Sequence, residues 1–170
     1  MLIQLPVLAV LGSGKASPAE LEAAESVGRC AAEAGWVVLT GGGPGVMEAA
    51  CHGAVRAGGL TVGVVPFSEA TSGYPNPWVR IPIFTGMGSA RNAINVLSAS
   101  LCIGLGGGAG TLSEVALACK AGCTVWWWRP WRLTPPEGGP TLPCRTFDDL
   151  DGLMEALTRR LEEDRPTSPE

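Results

Sequence analysis

The sequence predicts an α/β protein with a Rossmann-like, three-layer α/β/α fold and a mostly parallel sheet of about six to seven strands. Short apolar runs alternate with longer helical segments along the 170 residues. The apolar runs are continuous, which is typical of strands buried on both faces of a parallel sheet. Glycine-rich turns directly follow several of these runs. Ligands bind at the carboxyl ends of such strands, so we expect the glycine turns to form the ligand site.

Six apolar runs are predicted as strands. They are Val7–Leu11, Trp36–Leu39, Leu60–Val65, Arg80–Phe84, Leu101–Leu105 and Thr124–Trp128. Pro82 cannot donate a ladder hydrogen bond, which indicates that its strand lies at an edge. The run that begins at Leu101 is expected at the centre of the sheet.

Five helices are predicted between these strands. They are Pro18 to about Ala34, Val46–Ala57, Gly88–Ser98, Thr111–Ala121 and Phe147–Glu162. Ser17 and Glu20 form a capping box at the start of the first helix, with proline at its first position. Thr146 is expected to cap the last helix. We expect one domain over residues 1–164, followed by a frayed tail at 165–170.

Composition limits the classes of partner. Hydrophobic residues make up 46% of the chain and charged residues 16%, which favours an apolar interface and hence a homodimer or higher homo-oligomer. The net charge is −4 and no basic block occurs, so nucleic acid is not an expected partner. No apolar run is long enough to cross a bilayer, so no membrane association is expected. The apolar start lacks the basic region of a signal peptide.

The six cysteines form no CxxC pair and most lie in apolar runs. They are expected to be buried, reduced thiols of a cytoplasmic protein. His52 is the single histidine of the chain. We therefore predict no metal site and no resident cofactor.

Three glycine-rich turns could meet at one edge of the sheet. They are Gly12-Ser13-Gly14, Gly41–Gly45 and Gly106–Gly110. Their N–H groups, together with helix N-termini, suit the phosphate of a sugar phosphate or mononucleotide. A dinucleotide site is disfavoured, because the second strand ends in Leu39-Thr40 and not in an acidic residue. A P-loop is disfavoured too, since the required glycine before Gly14-Lys15-Ala16 is missing.

Two charged residues beside these turns have two interpretations each. Thr111-Leu112-Ser113-Glu114 has capping-box spacing, in which Glu114 only accepts backbone hydrogen bonds; alternatively the carboxylate takes part in chemistry. Arg91 lies near a helix N-terminus, where the helix dipole does not stabilise a positive charge. It could therefore bind an anion or be a surface arginine.

Three ordered segments resemble one known family. They are GGGPGVMEAA at Gly41–Ala50, MGSARN at Met87–Asn92 and GGGAGTLSE at Gly106–Glu114. They are similar to the LONELY GUY family, long labelled "possible lysine decarboxylase" and also known as cytokinin riboside 5′-monophosphate phosphoribohydrolase. The resemblance covers roughly Val7 to Trp128. The count of two lysines agrees with rejecting the decarboxylase label.

The resemblance implies a Rossmann-like fold, a homo-oligomer and cleavage of the N-glycosidic bond of AMP or a modified AMP, which gives free base and ribose 5-phosphate. It implies that Arg91 and Glu114 are catalytic. It also implies a substrate- and phosphate-binding set that comprises Gly12, Ser13, Gly42, Gly43, Gly45, Gly107, Gly108, Gly110 and Thr111.

Two departures leave a second function open. Gly106 stands where the family motif has proline, and Asn92 where a basic residue usually follows the arginine. The chain thus resembles a divergent branch close to molybdenum-cofactor carrier proteins, which bind a pterin cofactor without cleaving it. In the hydrolase, Arg91 would neutralise phosphate charge while Glu114 stabilises an oxocarbenium-like centre or activates water. In a non-catalytic nucleotide or pterin carrier, the same turns bind the ligand.

Aromatic residues give two further predictions. The tryptophans of Trp126–Trp131 are expected to be buried in the core or in a dimer interface. The loop Phe67–Val79, with Tyr74 and Trp78, is expected to form a lid that faces the base of the ligand.

Overall fold

A computed structural model describes residues 5–164 of the protein, and its core is a seven-stranded sheet. The strands are β1 Val7–Gly12, β2 Val37–Thr40, β3 Thr61–Val65, β4 Ile81–Phe84, β5 Leu101–Leu105, β6 Val125–Trp128 and β7 Arg145–Phe147. Their order is β4-β3-β2-β1-β5-β6-β7, and all six pairings are parallel. The predicted α/β fold and the edge position of β4 are confirmed. The tail predicted to fray, 165–170, lies outside the described residues.

The helices cover both faces of this sheet. They are α1 Pro18–Glu33, α2 Val46–Arg56, α3 Asn92–Leu97, α4 Ala109–Lys120 and α5 Leu150–Glu163. Small and branched apolar residues of α1, α2 and α5 pack on one face, while α3 and α4 pack on the other. Each layer forms because its helices are apolar along one stripe and must bury that stripe against the sheet.

The order of the strands reverses between β1 and β5. The chain moves outward from β1 to β4, then crosses back so that β5 pairs with the other side of β1. The two loops that leave this strand pair diverge to opposite faces, which opens a crevice at the carboxyl ends of the strands. Gly12 ends β1 and Leu105 ends β5, so both glycine turns that follow them border this crevice.

Three predicted helix starts require correction. Thr146 does not cap the last helix: it lies in β7, and the Asp149 side chain caps α5 by accepting from the Gly152 N–H at 2.7 Å. Helix α4 begins at Ala109, two residues earlier than predicted. The predicted helix Gly88–Ser98 is a 3₁₀ turn, Gly88–Arg91, followed by α3. By contrast, the capping box of Ser17 and Glu20 is confirmed.

The predictions for cysteine and tryptophan hold in part. Cys51, Cys102 and Cys119 are buried, and the other three cysteines are half-buried; none forms a disulfide. Burial raises the pKa of Cys102 to about 12, so this thiol stays protonated. Trp126, Trp127 and Trp128 are buried as predicted, whereas Trp131 is exposed.

Within residues 5–164, no group of three or more His, Cys, Asp or Glu side chains is placed to hold a metal ion. No helix in the same range is long and apolar enough to span a bilayer.

Candidate functional site

A cavity of ≈ 420 Å³ lies at the crevice between β1 and β5. Its walls come from the turn after β1, the start of the loop after β3, the 3₁₀ turn and the N-terminal half of α4. The site residues predicted from the sequence that line it are Gly12, Ser13, Arg91, Gly108, Gly110, Thr111 and Glu114. The predicted residues outside this lining are Gly42, Gly43, Gly45 and Gly107.

Arg91 and Glu114 meet at the back of the cavity although 23 positions separate them. Arg91 Nη1 lies 3.4 Å from Glu114 Oε1, and it donates a shorter hydrogen bond of 2.7 Å to Asn92 Oδ1. Asn95 Nδ2 donates to the same Glu114 oxygen at 3.3 Å. Arg91 and Asn95 are four positions apart in consecutive helical turns, and this spacing places both side chains over Glu114.

This cluster is buried, and some of its bonding capacity is unused. Arg91 and Glu114 are each 8% exposed, and Asn95 is fully buried. Arg91 Nε and Asn95 Oδ1 have no hydrogen-bond partner within the described part of the chain. Buried polar atoms without partners cost stability, and they are common where a ligand completes the network.

The carboxyl group of Glu114 has a pKa that is raised by its surroundings. Burial raises its pKa above the ordinary value, while the Arg91 guanidinium and the Asn95 amide act in the opposite direction. A carboxyl group with a raised pKa inside a cleft is a candidate for proton transfer. The same burial also strengthens its attraction to Arg91.

The capping-box interpretation of Glu114 is wrong. Helix α4 is preceded by Gly108 at its N-cap, and no side chain caps it. Glu114 is therefore the sixth residue of the helix, too far along for its carboxylate to reach the unpaired N–H groups of the first turn. Its carboxylate points to Arg91 and Asn95 instead.

The uncapped N-terminus of α4 faces the cavity. A Cβ added at Gly108 or Gly110 would meet no atom within 4 Å, so the space beside both residues is free. The free N–H groups of a 12-residue helix carry partial positive charge into this space. The buried guanidinium of Arg91, which pairs with Glu114, also lines the cavity, so the cavity has two kinds of donor that suit an anion.

The first glycine turn, Gly41–Gly45, packs against protein and not against the cavity. A Cβ on Gly41 would collide with the Arg91 guanidinium, and one on Gly43 would lie 2.5 Å from the Tyr74 ring. Gly45 has a φ of +68°, and a Cβ there would collide with the Ser13 carbonyl. This turn thus supports the walls of the cavity from behind.

Only part of the predicted lid, the loop Phe67–Val79, lies beside the cavity. Phe67 lines the cavity, and Tyr74 packs on it edge to face, with ring centroids 5.3 Å apart. Asn76 attaches this loop to the first glycine turn through hydrogen bonds to the carbonyls of Gly42 and Gly43. Trp78 does not line this site: its ring packs against the tilted ring of His52, with centroids 4.6 Å apart, and both rings line a separate cavity.

Two contributors were not identified from the sequence. Asn95 could have been found, because it lies four residues after Arg91 and shares its helical face. Glu20 was identified only as a capping residue, yet its Oε1 also accepts from the Gly107 N–H at 3.0 Å. No local pattern indicates this second role, since the two residues are 87 positions apart.

The fold and the site together define a class: a Rossmann-like protein with a cavity at the strand-order reversal whose polar groups suit an anion. The chain belongs to the SLOG cluster4 family, whose sequence profile matches residues 5–137. The resemblance of the chain to the LONELY GUY family is thereby confirmed in part, at the level of the broader LOG-like superfamily. Membership in the LONELY GUY subfamily is a finer statement than this match supports.

Three relatives match this chain over most of its length. An uncharacterized protein of Archaeoglobus fulgidus is 41% identical over 123 residues, which are 72% of this chain and 80% of that protein. The molybdenum cofactor binding protein of Rippkaea orientalis is 38% identical, with 96% of this chain and 88% of that one covered and a TM-score of 0.71. The Moco carrier protein of Chlamydomonas reinhardtii is 37% identical, with coverage of 95% and 99% and a TM-score of 0.75.

Proposed function

We propose that this chain binds and carries a phosphorylated pterin of the molybdenum-cofactor type in the cavity between β1 and β5. One observation carries the proposal: the α4 N-terminus with its two open glycines, Gly108 and Gly110, and the buried Arg91 converge on a single cavity. Helix N–H groups and a guanidinium are suitable partners for a phosphate. Phe67 at the rim offers an aromatic surface to a planar ring.

The relatives named for the molybdenum cofactor support this proposal. Their identity to this chain is 38% and 37%, and their match extends over almost its whole length. The cavity volume of ≈ 420 Å³ is also in the range of small-molecule sites, roughly 300–1,000 Å³. In a carrier, the Glu114 carboxylate has a positioning role, because it holds the Arg91 guanidinium at the cavity wall.

Retention of the cofactor tests the proposal. Molybdenum cofactor released from a molybdoenzyme is mixed anaerobically with the protein, the mixture is desalted, and protein-bound molybdenum and pterin are quantified. We expect near-stoichiometric retention by the wild-type chain and loss of retention in Arg91→Ala. The control is Arg159→Ala, which removes an exposed arginine of α5 that pairs with Glu155. A wild-type chain that retains no pterin would rule out the proposed function.

A second candidate function is hydrolysis of a nucleoside 5′-monophosphate. It is favoured by one observation, the buried Glu114 whose raised pKa and pairing with Arg91 place a titratable carboxyl group at the cavity wall. In this reaction water adds to the anomeric carbon, the N-glycosidic bond breaks, and the base leaves with a proton. Glu114 would activate the water or stabilise the oxocarbenium-like centre, and Arg91 would neutralise phosphate charge.

Incubation with AMP, followed by chromatography for adenine and ribose 5-phosphate, separates the two candidates. The hydrolase predicts product from the wild-type chain, and it predicts that Glu114→Gln stops turnover while AMP still binds. The carrier predicts saturable binding without free adenine.

Self-association remains a prediction. The edge strand β4 exposes the side chains of Ile81, Ile83 and Phe84 by more than 40% each. Exposed apolar surface of this kind favours burial against another protein surface. Sedimentation velocity of the full chain tests it, with a monomer at all concentrations as the contrary result.

A further inference from the structure

Glu20 connects the start of α1 to the turn that precedes α4. Its Oε2 accepts from the Ser17 N–H at 2.7 Å and from the Ser17 hydroxyl at 2.8 Å, which completes the capping box. Its Oε1 accepts from the Gly107 N–H at 3.0 Å. Gly106 has a φ of +51°, and a Cβ there would collide with this carboxylate. Glycine is therefore required at position 106 both by its backbone angle and by the contact with Glu20.

Two indole groups hold the same turn from the other side. Trp127 Nε1 donates to the Gly106 carbonyl at 3.1 Å, and Trp131 Nε1 donates to the Gly107 carbonyl at 2.9 Å. The Gly106 N–H donates to the carbonyl of Trp128 at 2.8 Å. Together with the bond to Glu20, every polar backbone atom of these two glycines is paired.

We propose that Glu20 and Trp131 are positioning residues of the ligand site, which fix Gly106 and Gly107 so that the N-terminus of α4 stays open to an anion before the ligand arrives. The inference rests on the proposed function. Two adjacent glycines with positive φ would otherwise sample many backbone states, and ordering them on binding would cost affinity. A turn that is already ordered removes that cost.

Glu20 and Trp131 contact the turn, whereas Gly108 and Gly110 remain open to a ligand. The Gly107 N–H is directed at Glu20 and is not free for the ligand, whereas Gly108 and Gly110 border open space. The exposed Trp131 ring is attached to the turn by its indole N–H, although the segment around it is rich in proline and lacks helix and strand. The two residues therefore act on the ligand through the turn.

Four variants of the full chain distinguish loop positioning from helix capping. Glu20→Gln has one accepting oxygen, so its side chain cannot accept from Ser17 and Gly107 at the same time, because the second terminal atom is an amide nitrogen. Ser17→Ala removes the cap and leaves the bond between Glu20 and Gly107 intact. Trp131→Phe removes the indole N–H donor and keeps a smaller aromatic ring. Asp149→Ala removes an N-cap from α5 and serves as a control for general loss of stability.

Affinity for molybdenum cofactor and for AMP is measured for each variant. We expect Glu20→Gln and Trp131→Phe to bind about 10-fold more weakly, since they free the turn. Ser17→Ala and Asp149→Ala should bind as the wild type does. Equal affinity of Glu20→Gln and the wild type, or an equal loss in Ser17→Ala, would overturn the positioning role.

A second measurement needs no ligand. Hydrogen exchange of the Gly107 and Gly108 amides, followed by NMR, should be about 10-fold faster in Glu20→Gln than in Ser17→Ala. If the wild-type chain binds neither probe, the proposed function fails, and these exchange rates still decide whether Glu20 orders the turn. Equal rates in the two variants would overturn the inference on their own.

Discussion

Two of the three glycine-rich segments, Gly41–Gly45 and Gly106–Gly110, have similar sequences and different surroundings. In the turn between β2 and α2, side chains added at Gly41, Gly43 or Gly45 would collide with other parts of the protein. At the junction of the second turn with α4, Gly108 precedes the helix and Gly110 lies in its first turn, and neither has an atom within 4 Å of an added Cβ. The first turn uses glycine so that protein can pack closely, whereas Gly108 and Gly110 leave open space beside the N-terminus of α4.

Substitutions in the two turns should therefore have different effects, on stability in the first turn and on ligand affinity in the second. Substitutions in the first turn should unfold the protein or displace its supporting contacts, because they act on packed atoms. Substitutions at the open positions of the second turn should leave folding intact and act on the ligand. Arg91 links the two, since it packs on Gly41 and pairs with Glu114 of α4.

The largest effect on stability is expected from Arg91→Met, which removes the side chain that contacts both Gly41 and Glu114. Glu114 would then be a buried carboxylate without its cation, which costs about 3–5 kcal/mol of unfolding free energy at neutral pH. Urea unfolding of the variant and the wild type measures this cost. The matched control is Arg159→Met, which breaks an exposed pair with Glu155 and should cost less than about 1 kcal/mol.

The same variant has a defined pH dependence. The pKa of Glu114 in the folded chain is raised by burial, so the folded state holds its proton more tightly than the unfolded state does. Stability therefore falls as the pH rises from the unfolded pKa through the folded one. Loss of Arg91 raises the folded pKa further, so the cost should be smaller at about pH 5 than at about pH 7. An equal cost at both values would contradict the assigned pairing.

Gly45→Ala is expected to have the next largest effect. It places alanine at a φ of +68° and drives its Cβ into the Ser13 carbonyl, which together should cost about 2–4 kcal/mol. Gly58→Ala is the matched control, because Gly58 has a φ of +79° with nothing within 4 Å of an added Cβ. It should cost only the backbone part, about 1–2 kcal/mol. If the two variants lose the same stability, the packing role of the first turn is wrong.

The sequence predicted most of the fold because the strands are continuous apolar runs between glycine and proline. It missed β7, which has three residues and exists because it pairs with β6. It misplaced the start of α4, because Gly108 and Gly110 are poor helix formers and concealed the first turn. The error in the capping of α5 has a similar cause, since Thr146 and Asp149 are both good N-caps and pairing of Thr146 in β7 decides between them.

The candidate site was predictable only in part, for a related reason. Arg91 and Glu114 could be paired through their resemblance to a family motif, but their contact spans 23 positions and depends on how α3 and α4 pack. The sequence does not show whether the first glycine turn supports packing or ligand binding, since both roles require glycine. The contact between Glu20 and Gly107 depends on the pairing of β1 with β5, which local sequence does not encode.

The smallest stability effect, and the sharpest test of the comparison, is expected from Gly110→Ala. Gly110 lies in the first turn of α4, so alanine should stabilise the helix by at most about 1 kcal/mol. Its methyl group would project beside the N-terminus of the helix and displace a bound phosphate, and affinity should fall about 10-fold. Gly152→Ala, in the first turn of α5, changes a helical glycine away from the cavity and should leave affinity unchanged.

The two turns would be separated by function if Gly110→Ala is at least as stable as the wild type and yet binds ligand more weakly. Unchanged affinity in Gly110→Ala would instead place the anion elsewhere in the cavity and remove the distinction between the two turns.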